Sequence, residues 1–148
     1  MKQKQRIMEH GTCYVCGSGN PHGIGLRWFT DEENTIFSTF KLGISQQGPP
    51  GYAHGGASAA ILVEAMGAAI WRTGINVAVV NLTINYLLPL PLEENLSLEA
   101  RFTRREARKI HASGEIRLED GRIAVSGTGI YVEAPHLFEA VRYTLEGQ

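Results

Sequence analysis

Only two cysteines occur in the 148 residues, Cys13 and Cys16, within the run CYVCG. A tetrahedral structural metal centre usually needs four ligands, and no second cysteine pair is there to supply them. His10 and His22 flank the pair and offer to complete a site. A thioredoxin-like pair sits where a strand gives way to a helix. Here no strand signal precedes the pair, and Gly17, Gly19 and Pro21 follow it. The expectation is two small apolar residues packed in an N-terminal cap, with no metal. An excess of charge of one sign is missing too. The formal net charge is −1, which gives no global field to attract nucleic acid or an anionic membrane. No G-x-x-x-x-G-K-[ST] run is present to cradle a nucleotide phosphate. No positively charged leader with an apolar run and a cleavage site is visible. The longest apolar run, Ala57 to Trp71, is too short to span a bilayer and carries Glu64 in its middle. A cytoplasmic protein is expected, with neither nucleic acid nor membrane as a partner.

Hydrophobic residues make up 43% and charged residues 20%, an ordinary balance for a globular protein. The length suits a single domain over 1–148, with 1–24 as an N-terminal cap. The first ten residues are polar and read as frayed or as a short helix. Residues 26–30 and 35–40 read as a hairpin across Asp31-Glu32-Glu33-Asn34. Residues 43–56 read as loop, punctuated by Gly48, Pro49, Pro50 and Gly51. A helix is expected from about Gly55 to Thr73, with Gly74 as its stop. Four long β-type runs follow, at 77–88, 96–108, 110–119 and 122–132, the last two joined by the turn pair Asp120-Gly121. A short helix is expected over 135–145. The sum is an α+β domain with one central helix and an antiparallel sheet.

That helix has no polar face. A helix apolar all round is covered on all sides, so the sheet must curl around it or a second subunit must cover it. Ala57, Ala60, Glu64, Gly67, Ala68 and Trp71 share one face, and Val63, Met66 and Ile70 form a bulkier one. Burying a carboxylate unpaired costs several kcal/mol or drives its pKa upward. Glu64 therefore either pairs with Arg72, another basic residue or backbone amides, or lies at a wet interface, or has a chemical use.

Ahead of the helix stands Ala53-His54-Gly55-Gly56-Ala57. The first N–H groups of a helix lack partners and lie at the positive end of its dipole, where an anion or a developing oxyanion binds. His54 either hydrogen-bonds the loop or acts as a base. From Gly55 to Glu64 is roughly 13 Å along a helix axis at 1.5 Å per residue. If both serve one reaction, the amides come from one subunit and the carboxylate from another, giving two sites per dimer.

At this point the sequence resembles the hot-dog-fold acyl-CoA thioesterases, specifically the PaaI-like group. The resemblance rests on Cys13-Tyr14-Val15-Cys16-Gly17 with Asn20-Pro21-His22-Gly23-Ile24-Gly25-Leu26, and on Gly51-Tyr52-Ala53-His54-Gly55-Gly56. Glu64-Ala65-Met66-Gly67 and Tyr86-Leu87-Leu88-Pro89-Leu90-Pro91 complete it. It implies a long helix wrapped by an antiparallel sheet, and subunits joined edge to edge as dimers or dimers of dimers. It also implies a CoA thioester held between subunits, its carbonyl oxygen on an amide after the His-Gly step and a carboxylate from the other subunit's helix. The family usually places its Asp or Glu nine residues after the His, where this chain has Val63. It often places a Ser or Thr where this chain has Val79. Consecutive helix positions differ by about 100°, so Glu64 does not simply replace a carboxylate at 63.

Two readings follow. The first is a thioesterase acting on a small or medium acyl-CoA. The Gly55 and Gly56 amides polarise the carbonyl, Glu64 activates water, and His54, Gln47 and Asn81 are the remaining polar groups of the site. Val63 and Val79 line the substrate site and Arg104 and Arg108 meet the CoA phosphates, with no metal and no cofactor. The second is a non-catalytic binder of acyl-CoA or another apolar ligand on the same scaffold, which Val63 and Val79 favour. A hot-dog dehydratase is a third, set back by the placement of its His-Asp/Glu pair.

Overall fold

The computed structural model describes residues 4–140 together with the backbone strand Tyr143–Thr144. Strands β1 (Gln5–Arg6), β2 (Glu9–His10), β3 (Phe29–Thr30) and β4 (Ile36–Phe40) precede the helix α1 (Gly55–Trp71). Strands β5 (Val77–Tyr86), β6 (Leu96–Glu106), β7 (Lys109–Arg117) and β8 (Ile123–Glu133) follow it, and β9 is Tyr143–Thr144. Seven strands form one antiparallel sheet in the order β1-β3-β4-β6-β7-β8-β5, while β2 pairs with β9. The expected helix and the four long strands are present within one to two residues at most ends.

Two expectations are corrected. The first ten residues are neither frayed nor helical where described, because Gln5–Arg6 adds to the sheet edge against Phe29–Thr30 and Glu9–His10 pairs with β9. The expected helix over 135–145 is a single 3-10 turn, Pro135–Phe138, followed by β9; its last residue, Leu145, lies outside the described residues. Polar sequence at 1–10 hides a strand because a two-residue strand has too few positions to show alternation.

The sheet wraps α1. Ile61, Leu62, Ala65, Met66, Ala69 and Ile70 are fully buried against it. Glycines in β7 and β8 make the close approach workable. A Cβ on Gly114 would lie 3.1 Å from Leu62 Cδ2, and one on Gly129 would lie 3.3 Å from Met66 Cε. Cover is incomplete on one side. Ala59, Ala60, Val63, Glu64, Gly67 and Trp71 remain half-buried along α1. The strand beside them, β5, is the edge of the sheet and exposes Val79, Val80, Leu82 and Tyr86. A long apolar edge strand is a template for pairing with another chain.

Candidate active site

The helix begins at a tight loop. Gln47 and Ala53 form an isolated bridge, the Gln47 side chain accepts from Gly51 N–H at 3.0 Å, and His54 N–H donates to Gln46 C=O at 2.7 Å. His54 takes the N-cap position, its Nδ1 accepting from Gly56 N–H at 2.8 Å. The ring therefore serves the loop, as one of its two expected roles, and its proton sits on Nε2. The same bond engages Gly56 N–H, one of the two amides expected to face an oxyanion. None of the described hydrogen bonds uses the Gly55 N–H, so the amide open to a ligand narrows to Gly55. Tyr86 donates to Gly55 C=O at 2.8 Å and fixes this turn from β5.

Further along α1, Glu64 points into a cavity of about 170 Å³. Val63, Gly67, Trp71, Val77, Val79 and Tyr131 give the cavity its apolar wall, and His10 of the N-terminal cap and Trp28, just before β3, also line it. The structure thus brings Glu64, Val63 and Val79 to one cavity. Tyr131 donates to Val63 C=O at 2.6 Å, tying the middle of α1 to β8. Nothing in the sequence singled out Tyr131, one aromatic in an apolar strand, and Tyr86 stood out only as part of the run from Tyr86 to Pro91, with no role of its own.

The partner of Glu64 is not Arg72. His10 Nε2 lies 3.3 Å from Glu64 Oε1, and the Cys16 thiol donates to the same oxygen at 3.7 Å. Cys16 is buried, as packing required, but the pair is not merely packing: Cys13, Cys16, His10 and Glu64 form one cluster. The CYVCG run and the helix carboxylate, read as separate features, meet in space. Burial, reinforced by the nearby Cys13 sulfur and opposed by His10, pushes the Glu64 carboxyl up to about 7. The hydrogen bond from Cys16 holds the Cys13 thiol well below the ordinary thiol range, and the same bond, with burial, pushes Cys16 up. The hydrogen bond to Cys13 raises His10 against the effect of burial.

Other expected residues stand apart. Gln47 is at the amide end of α1 and Asn81 is exposed on β5, just past a bulge between Val79 and Asn81. Arg104 and Arg108 are exposed at the β6–β7 hairpin and do not line the cavity. They are nonetheless at its end of the sheet. Arg105, Ile110, Tyr131 and Val79 are aligned across β6, β7, β8 and β5.

A seven-stranded antiparallel sheet wrapped on one long helix, with an apolar cavity beside a helix carboxylate, defines a hot-dog fold with an enzyme-like site. Residues 50–125 match the sequence model of the Thioesterase superfamily. The chain belongs to that superfamily. It is 32% identical over 120 residues to the acyl-coenzyme A thioesterase THEM4 of Bos taurus, covering 78% of this chain and 49% of the relative. The THEM4 of Xenopus laevis is 28% identical over 116 residues, with 75% of this chain and 52% of the relative covered. The chain thus spans about half the length of these curated relatives. A crystal structure of a thioesterase superfamily protein superposes with a TM-score of 0.80 at 32% identity, over 83% of this chain and 61% of that one. The PaaI protein of E. coli shares the fold, with a TM-score of 0.68 at 16% identity, over 74% of this chain and 80% of that one.

Proposed function

We propose that this chain hydrolyses the thioester of an acyl-CoA carrying a small or medium acyl group, in sites shared between two copies. The observation that carries the reading is Glu64, the one carboxylate of α1, set in the wall of an apolar cavity. At about 170 Å³ the cavity is smaller than the roughly 300–1,000 Å³ clefts that enclose drug-sized ligands. It suits an acyl group, with the nucleotide outside. The exposed guanidiniums of Arg104 and Arg108 meet phosphates there. Gly55 N–H polarises the carbonyl oxygen from the partner copy, because Gly55 and Glu64 of one helix are roughly 13 Å apart. The half-buried stripe of α1 and the apolar β5 edge are the surfaces that a second copy covers.

In the reaction, Glu64 takes a proton from water as the water oxygen adds to the thioester carbon. The tetrahedral oxyanion is held by Gly55 N–H, and its collapse breaks the C–S bond. The proton on Glu64 passes to the departing CoA thiolate, leaving the carboxylate and the free acid. Gln47 or Asn81 orients the water. Val63 and Val79 support a second reading, binding without turnover, since both cavity positions beside Glu64 are apolar. A panel of acyl-CoAs assayed with a thiol-detecting reagent separates the two. The hydrolytic reading predicts CoA release that peaks within the short to medium chains. Tight binding across the panel with no thiol released would establish the second reading instead.

A further inference from the structure

We infer that His10, Cys13, Cys16 and Glu64 form a four-ligand site for a thiophilic divalent cation of the Zn²⁺ class. The inference goes beyond the thioesterase reading and does not rest on it. One ligand atom from each residue lies within 4.8 Å of every other. A tetrahedral cation with bonds of roughly 2.0–2.3 Å sets its ligand atoms about 3.3–3.8 Å apart. The His10 Nε2 to Glu64 Oε1 distance is 3.3 Å and the Cys16 Sγ to Glu64 Oε1 distance is 3.7 Å. Two edges of the tetrahedron are already at their bonded length, and the widest must close by at most about 1.5 Å.

The turn that carries the thiols is built as a knuckle. Cys13 N–H donates to His10 C=O at 2.8 Å, which brings the imidazole and the first thiol to one end of the turn. Val15 N–H donates to Cys13 Sγ at 3.4 Å, and an N–H aimed at sulfur favours the thiolate that a metal needs. Gly17 N–H closes the turn on Cys13 C=O at 2.9 Å. A Cβ on Gly17 would lie 2.3 Å from the Cys13 backbone nitrogen, so only glycine fits there. Two sulfurs, one imidazole and one carboxylate suit zinc rather than magnesium or calcium, which prefer all-oxygen shells. Glu64 and His10 also line the cavity, which gives the cation a way in. A bound cation fastens the N-terminal cap to α1. It also takes the Glu64 oxygen out of use as a base, so turnover belongs to the metal-free form.

The test is titration of the reduced full chain, freed of metal by chelation, with Co²⁺ as a spectroscopic stand-in and then with Zn²⁺ in competition. One equivalent of Co²⁺ is expected to give visible bands of a tetrahedral centre and near-ultraviolet thiolate-to-cobalt charge transfer, both abolished by one equivalent of Zn²⁺. Cys13→Ser is expected to remove about half of the charge-transfer intensity, because one of two thiolates is lost. Glu64→Gln, which keeps both thiols, is expected to shift the visible bands and weaken affinity by at least the roughly 10–100-fold that loss of a supporting partner costs. A wild-type protein with no charge-transfer band at several equivalents of Co²⁺ would overturn the inference. So would bands left unchanged by Cys13→Ser and Glu64→Gln. These readouts do not depend on turnover, so a protein that hydrolyses no thioester still answers the question.

Discussion

Glu64→Gln, compared with wild type after both are freed of metal, is expected to lower kcat by about 10²–10⁴ with little change in KM. Glutamine keeps the length and planarity of the side chain and can still accept a hydrogen bond from water. It cannot take the proton. Because most residues of the cavity wall are apolar and stay in place, binding of the thioester is expected to be largely preserved. The shape of the loss is therefore informative. A drop confined to kcat marks an interaction made in the transition state, whereas a rise in KM alone would mark Glu64 as a binding group. Single-turnover kinetics on a short acyl-CoA, with affinity measured separately, distinguish the two. Unchanged turnover in the glutamine variant would remove Glu64 from the chemistry.

Gly55→Pro is expected to cost about 10²–10³ in kcat, the effect of deleting one oxyanion donor. The substitution suits this position. Gly55 is the first residue of α1, where proline is favoured because its missing N–H has no intrahelical partner. His54 before it is already extended, at φ −63° and ψ 138°, as a residue preceding proline must be. The added ring carbon meets the Tyr86 ring at 3.3 Å, which a small movement of that exposed side chain relieves. The variant thus deletes one N–H from a helix start that otherwise stays in place. Circular dichroism and thermal melting close to wild type, beside the fall in kcat, are the expected pair of results. Full activity would mean that the thioester oxygen is held elsewhere.

Much of the fold was legible because its elements are long. The apolar run from Ala57 to Trp71 has no polar stripe, so it declares a helix that other structure must wrap, and β5 to β8 are long enough for turn signals to separate them. The two-residue strands at the N-terminus and the 3-10 turn Pro135–Phe138 were not legible, since tertiary pairing rather than local pattern decides them. Within the site, the sequence marked Glu64 as the one charge of an apolar helix and Val63 and Val79 as departures from a family pattern, and the structure sets all three on one cavity. What it could not show was distance. Cys16 and Glu64 are 48 positions apart and meet through the packing of the cap on α1. His10, Cys13 and Cys16 stand three residues apart in succession, a visible spacing, but its fourth member lay on another element. His54 showed the opposite difficulty. A histidine before a glycine pair suits both a base and a cap, and only the 2.8 Å bond from Gly56 N–H identifies the capping role.

In the proposed geometry, each site takes its amide from one copy and its carboxylate from another. Co-expression of Gly55→Pro and Glu64→Gln chains in equal amounts tests it most directly, since each variant alone has no complete site. If the site is shared, half of the assembled pairs are mixed, and each mixed pair holds one site with Gly55 from the glutamine chain and Glu64 from the proline chain. The co-expressed, metal-free protein should then recover about a quarter of the wild-type rate, far above either variant alone. If amide and carboxylate act within one chain, no mixed pair has a complete site, and activity no higher than that of the separate variants would contradict the account.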